Sequence, residues 1–126
     1  MKNKKGFALI NGPISKHSFL NKKFLGITEY LAHKTNKNKK EVMLIYSKKL
    51  SVSPITTHLP LKDVQKNISK KKIINNVITI NDFYKNKLKK KPRFAVTGLN
   101  PHCETIHKIS EENTIIKPSI NFLRKK

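Results

Sequence analysis

The stretch Thr56-Thr57-His58-Leu59-Pro60-Leu61 sets one imidazole where a run of β-forming residues stops and a proline blocks regular structure. An imidazole so placed is either a hydrogen-bonded turn residue or a metal ligand carried on a strand end. The local residues leave both readings open. A second stretch, Gly98-Leu99-Asn100-Pro101-His102-Cys103-Glu104, follows another apolar run. In an open α/β sheet, ligands gather beyond the carboxyl ends of the strands, so Asn100 and His102 stand where a pocket can use them. An Asx-Pro turn accounts for the same residues equally well. His102 beside Cys103 has the types of a base and a nucleophile, but chain neighbours rarely have the geometry, and no third group orients the pair.

The remaining chemistry-bearing residues carry less. The five histidines are His17, His33, His58, His102 and His107. No two are spaced as a helical zinc pair, and no Cys-x-x-Cys occurs. His33 is expected on an exposed helix face, and His17 and His107 in solvated, lysine-rich surroundings. Gly12-Pro13-Ile14-Ser15-Lys16 lacks the glycine spacing of a triphosphate-binding loop.

The elements that must position these residues are read from periodicity. Phe7 to Ile10 is a short apolar run stopped by Asn-Gly-Pro, which suits a buried strand ending in a turn. Ser15 can cap a short helix reaching Leu20, and Thr28 a helix through Lys34. Val42 to Tyr46 is continuously apolar, the form of a strand covered on both faces. Leu50 to Thr56 alternates imperfectly, and Pro54 demotes it to an edge; the two runs are expected to pair. Ser69 is a good cap for the longest helix, about Lys70 to Leu88. Its stripe is Ile73, Ile74, Val77, Ile78, Tyr84 and Leu88, and Pro92 closes it. Phe94 to Thr97 reads as a buried strand. Ser110, Glu111 and Glu112 open a last helix, which Pro118 is expected to kink or end early.

Strands alternating with helices predict an α/β fold: a single partial domain over residues 1–126, incomplete at both ends. With sheet edges left open, marginal stability is expected of the isolated chain. The single cysteine, Cys103, excludes an internal disulfide and fits a reducing compartment. No apolar run approaches the length of a membrane span, and the apolar start is too short for a signal peptide.

The formal net charge is +21, from 28 Lys+Arg against 7 Asp+Glu. That charge favours loose, salt-sensitive attraction to polyanions and raises the alternative of a small basic nucleic-acid-binding protein. Only Arg93 and Arg124 are arginine, whereas specific recognition favours the arginine fork. The lysines are spread along every segment and are accompanied by 13 asparagines and 15 isoleucines, a bias that AT-rich coding would supply.

Four blocks occur in order: Asn11-Gly12-Pro13-Ile14-Ser15-Lys16, Gly26-Ile27-Thr28-Glu29-Tyr30-Leu31-Ala32, Thr56 to Leu61, and Gly98 to His102. Together they resemble the central part of the 4-hydroxythreonine-4-phosphate dehydrogenase family of pyridoxal phosphate biosynthesis. The resemblance runs along essentially the whole chain, and TTHLPL with GLNPH at this separation is its specific part. It implies a partial three-layer α/β/α unit resembling the isocitrate-dehydrogenase-like fold, in a cytoplasmic homodimer. It implies NAD-dependent oxidation and decarboxylation of 4-phosphohydroxy-L-threonine, with a divalent metal (zinc, magnesium or cobalt) held by three histidines on the substrate alcohol. By position His58 matches one metal histidine. Ile27 stands where the resemblance implies another, and an alkyl side chain cannot coordinate. The third is expected in a region beyond Lys126. The resemblance therefore implies that these 126 residues alone are catalytically inactive.

Overall fold

The computed structural model describes residues 9–15, 18, 23–24, 26–36, 41–99, 102 and 109–125. The chain divides into two compact units, Met1–Glu41 and Val42–Lys126.

In the first unit, α1 (Ile27–Lys34) starts one residue before the expected Thr28. Gly26 takes the N-cap position, so Thr28 lies inside the first turn rather than capping it. Glu29 in that turn places negative charge at the positive helix end. Ala32 is buried, and Phe24 meets Tyr30 and His33 edge-on at 5.5 and 5.3 Å between ring centroids. The helix closes through Thr35, whose Oγ1 donates to the Leu31 carbonyl at 2.8 Å. Asn36 follows at φ 56°, a left-handed conformation that asparagine tolerates. Leu9 and Ile10, the described end of the first expected strand, are exposed. The expected helix after Ser15 falls mostly outside the described residues.

The second unit is organised by helices. α2 (Leu61–Val64) runs on into a 3-10 turn over Gln65–Asn67. α3 (Lys70–Phe83) begins at Ser69, whose Oγ accepts from the Lys72 N–H at 3.3 Å, the cap expected of that serine. It widens into a π turn over Tyr84–Leu88, so the helical path reaches Leu88 as expected. Lys89 then ends it at φ 55°, and the Lys90 N–H returns to the Tyr84 carbonyl at 3.1 Å. The last helix opens at Ser110, whose Oγ accepts from the Asn113 N–H at 3.2 Å. It passes through a π turn, Glu112–Ile116, into α4 (Lys117–Arg124). Pro118 neither ends nor halts this helix. A proline removes one N–H and crowds the carbonyl four residues back, and the widened turn lies directly before it.

α3 packs against α4 and against the π turn that precedes it. The buried residues of this unit sit on these elements: Ile73 (2% exposed) and Ile80 from α3, and Glu112, Ile116 and Ser119 from the last helix. Ser119 has no exposed surface and donates to the Ile115 carbonyl at 2.6 Å, which satisfies its hydroxyl inside the helix. A small side chain there lets two helices approach closely. Ile80 belongs to the buried stripe although the expected stripe omitted it. Ile74, Val77, Ile78, Tyr84 and Leu88 are half-buried.

The expected strand pair over 42–56 is reduced to a single antiparallel bridge between Ile45 and Val52, with N–H···O distances of 2.8 and 3.0 Å. Side chains supply the other ties. Ser53 Oγ donates to the Met43 carbonyl at 2.7 Å, and Ser47 and Ser51 link across the turn. The Tyr84 hydroxyl donates to Ser51 Oγ at 2.8 Å and so fastens this turn to the end of α3. Phe94 to Thr97 has no ladder partner among the described residues, and Phe94 is exposed. Ile45 is 61% exposed. These apolar runs are patterned for cover on both faces, but a strand is stable only with neighbours to take its backbone groups. The described residues thus hold helices and extended segments, without a layered sheet.

Two substitutions test this packing by urea unfolding. Ile73→Ala should lower stability by about 2–5 kcal/mol, because it leaves a cavity between packed helices. Lys89→Gly should raise it by about 1 kcal/mol, because it removes the left-handed strain of a β-carbon at the helix end.

Candidate functional site

His58 lies in the loop between the bridged turn and α2, and it is exposed. Its backbone has φ 55°. A non-glycine residue in this region is uncommon, although histidine adopts it more readily than most. The residues after it are stiff. Pro60 starts α2, the Asp63 N–H donates to the Pro60 carbonyl at 2.9 Å, and Asn67 Nδ2 donates to the Asp63 carbonyl at 2.8 Å. His58 is thus an exposed residue three positions before a continuous helical segment.

The second stretch ends its described part at Leu99. The Leu99 N–H donates to Glu112 Oε1 at 3.1 Å. His102 is in a turn and exposed. Asn100, Cys103, His17 and His107 lie outside the described residues, and so does the question of a His102–Cys103 pair. His33 is exposed on α1, as expected.

The two motif blocks meet at one cavity of about 690 Å³. Thr56 from the first block and Gly98 and Leu99 from the second all line it. Its apolar wall includes Ile73, Val77 and Ile80 of α3, while Asn76, Ser51 and Tyr84 bring polar groups to it. Lys48, Lys49, Lys91 and Arg93 also line it, so the hollow joins an apolar wall to polar and cationic groups, a form that suits a small polar molecule. Sequence reasoning put the two blocks at strand ends; the structure gives them a common wall made by α3.

The donor set for a metal is a separate matter. Among the described residues, no group of three or more His, Cys, Asp or Glu side chains could hold an ion. Ile27, the first residue of α1, is half-buried and offers no donor. A tight metal centre needs three or four ligands, so the described residues do not by themselves fit one.

Residues that sequence reasoning did not connect to the site are Gln65, Glu111 and Glu112. Gln65 Nε2 donates to Glu111 Oε1, which ties the segment after His58 to the last helix. Glu112 holds the second block at Leu99. The signal in the sequence was the acidic pair after Ser110, which pointed to helix initiation and resembled the family's helix start after the 98–102 block.

The family described as "Pyridoxal phosphate biosynthetic protein PdxA" matches residues 1–126. A 4-hydroxythreonine-4-phosphate dehydrogenase of Sulfurihydrogenibium sp. is 45% identical over 125 residues, covering 96% of this chain and 38% of the relative. The Aquifex aeolicus protein of the same name is 39% identical over 101 residues, covering 79% and 31%. That of Wigglesworthia glossinidia brevipalpis is 36% identical over 126 residues, covering 97% and 38%. The chain spans well under half the length of these relatives.

Two outcomes are expected at His58 and its surroundings. His58→Gly should keep or raise the urea midpoint, by up to about 1 kcal/mol, since glycine adopts the left-handed backbone without strain; a clear fall would show that the imidazole itself holds the loop. Adding a chelator should leave the melting temperature of the chain unchanged, because the described residues hold no closed ligand set that would couple a metal to folding.

Proposed function

The chain belongs to the PdxA family of pyridoxal phosphate biosynthetic proteins, and from that premise we propose that it supplies part of the site of an NAD-dependent oxidoreductase acting on 4-phosphohydroxy-L-threonine. The observation that carries this reading is the family match along all 126 residues, together with the meeting of both motif blocks at one cavity. The names of the relatives support the substrate and the reaction type. In that reaction a secondary alcohol is oxidised, and NAD, when bound, accepts the hydride. The β-keto acid so formed then loses carbon dioxide.

What this chain's residues contribute is placement. The cavity wall of α3 excludes water from one side and offers the Asn76 amide and the Tyr84–Ser51 hydroxyl pair on another. Asn100 and His102, the block residues that come after the Leu99 anchor in the sequence, are the proposed polar groups of the second block. His58 offers an imidazole from an exposed loop, suited to a divalent metal such as zinc, magnesium or cobalt. Further donors have to come from outside the described residues, so no step is routed through the metal. The complete assembly is a cytoplasmic homodimer with layered α/β/α subunits, in which the exposed runs 42–46 and 94–97 gain strand neighbours.

A basic cluster favours a subsidiary property. Lys85, Lys89, Lys90 and Lys91 surround one surface depression at the end of α3. This suits loose polyanion attraction, which moderate salt should abolish. Nucleic-acid binding that survives moderate salt would favour the alternative function over the enzyme reading.

The experiment is NADH formation by the chain with 4-phosphohydroxy-L-threonine, NAD and added zinc, magnesium or cobalt. The 126 residues alone should give no turnover. Addition of a polypeptide covering the rest of the length of the Sulfurihydrogenibium relative should restore some. Clear turnover by the chain alone would overturn the view that its site is incomplete.

A further inference from the structure

We infer that Glu111 and Glu112 are positioning residues: two adjacent carboxylates at the start of the last helix that hold the helical segment following His58 and the chain at Leu99, three residues before His102, in register with each other. The inference rests on the reading of His58 and His102 as site residues.

Glu112 is only 6% exposed. A carboxylate that deep in a protein costs several kcal/mol unless polar groups compensate it. It spends one oxygen on the backbone N–H of Leu99, at 3.1 Å. That amide stands one residue before Asn100 and three before His102. A backbone amide held by a buried charged acceptor fixes the course of the chain as well as a side chain. Glu111 makes the parallel contact, accepting from Gln65 Nε2. Gln65 lies in the helical run that continues rigidly from Pro60, two residues after His58.

The geometry explains why two acids are needed. Successive residues on a helix point in directions roughly 100° apart, so neighbours cannot face the same loop. One acid reaches the segment after His58, and the other reaches the turn before His102. Their base is rigid. Ser110 caps the turn, accepting from the Asn113 N–H, and its carbonyl accepts from both the N–H and the hydroxyl of Thr114. Below it, Ile116 and Ser119 are packed on the α3 side of the unit. The π turn over Glu112–Ile116 widens the helix at the point where Glu112 departs toward Leu99. Such wide turns recur where a helix serves a functional site. An acid at a helix start also interacts with the helix dipole, but that role needs neither burial nor a partner in another segment.

The test is amide hydrogen exchange and histidine-ring NMR on the 126-residue chain. In the unaltered chain the Leu99 amide should exchange slowly. Glu112→Ala should speed it about tenfold or more, the effect of losing one charge-assisted hydrogen bond. It should also shift the ring signals of His102 while leaving the amides of Ile73 and Ile80 slow. Glu112→Gln, which keeps a carbonyl acceptor, should retain most of the protection and covers the case in which the alanine variant does not fold. Gln65→Ala should quicken amides over 61–67 and shift the His58 ring signals, with Leu99 still slow. Rapid Leu99 exchange in the unaltered chain, or the same rate in Glu112→Ala and Glu112→Gln as in the unaltered chain, would overturn the proposal. So would a lower melting temperature with unmoved ring signals, which is the mark of a merely structural acid. None of these readouts needs turnover, so a failure of the enzyme reading would show separately, in the NADH assay.

Discussion

The packing of α3 against the last helix is the constraint on which the rest of the second unit depends. Ile73, Ile80, Ile116 and Ser119 are the residues it buries. Three described hydrogen bonds attach other segments at its ends. Tyr84, in the π turn that closes α3, holds the turn at Ser51. Glu111 and Glu112, at the start of the last helix, hold the two motif-bearing segments. The hydrophobic term supplies the stability, and a few directed hydrogen bonds set where the loops lie.

That division of labour makes sense of the site. Loops carry chemistry best when a rigid scaffold fixes their roots. His58 and His102 are both exposed, yet each is rooted in a segment pinned to the helix pair. The cavity between Thr56 and Gly98 is walled by the face of α3 that also carries Ile73 and Ile80. Burial that stabilises the fold and burial that shapes the pocket therefore use the same helix.

Local capping and helical periodicity were legible in the sequence. Ser69 and Ser110 cap the helices they were expected to cap, and the path from Lys70 to Leu88 is helical throughout. Thr28 misled because Gly26, with no side-chain cap at all, took the position before it. Of the two outcomes expected at Pro118, an early end does not occur: the helical path continues through it after a widened turn. Of the expected strands, the pair over 42–56 survives as one antiparallel bridge, and the 94–97 run has no ladder partner among the described residues. Val42 to Tyr46 and Phe94 to Thr97 encode cover on both faces, but a sheet also needs partners, and periodicity carries no information about who they are. The motif blocks singled out His58 and His102 from sequence alone, while the ties through Gln65 and Glu112 span 46 and 13 residues and leave no local pattern.

Residue-resolved hydrogen exchange over the whole chain tests the account most directly. The slowest amides are expected in α3 and in the last helix, centred on Ile73, Ile80 and Ile116, with fast exchange along 42–44 and 94–97. Uniform slow exchange through both of those runs would reveal a formed sheet, and would contradict a scaffold built on the helix pair.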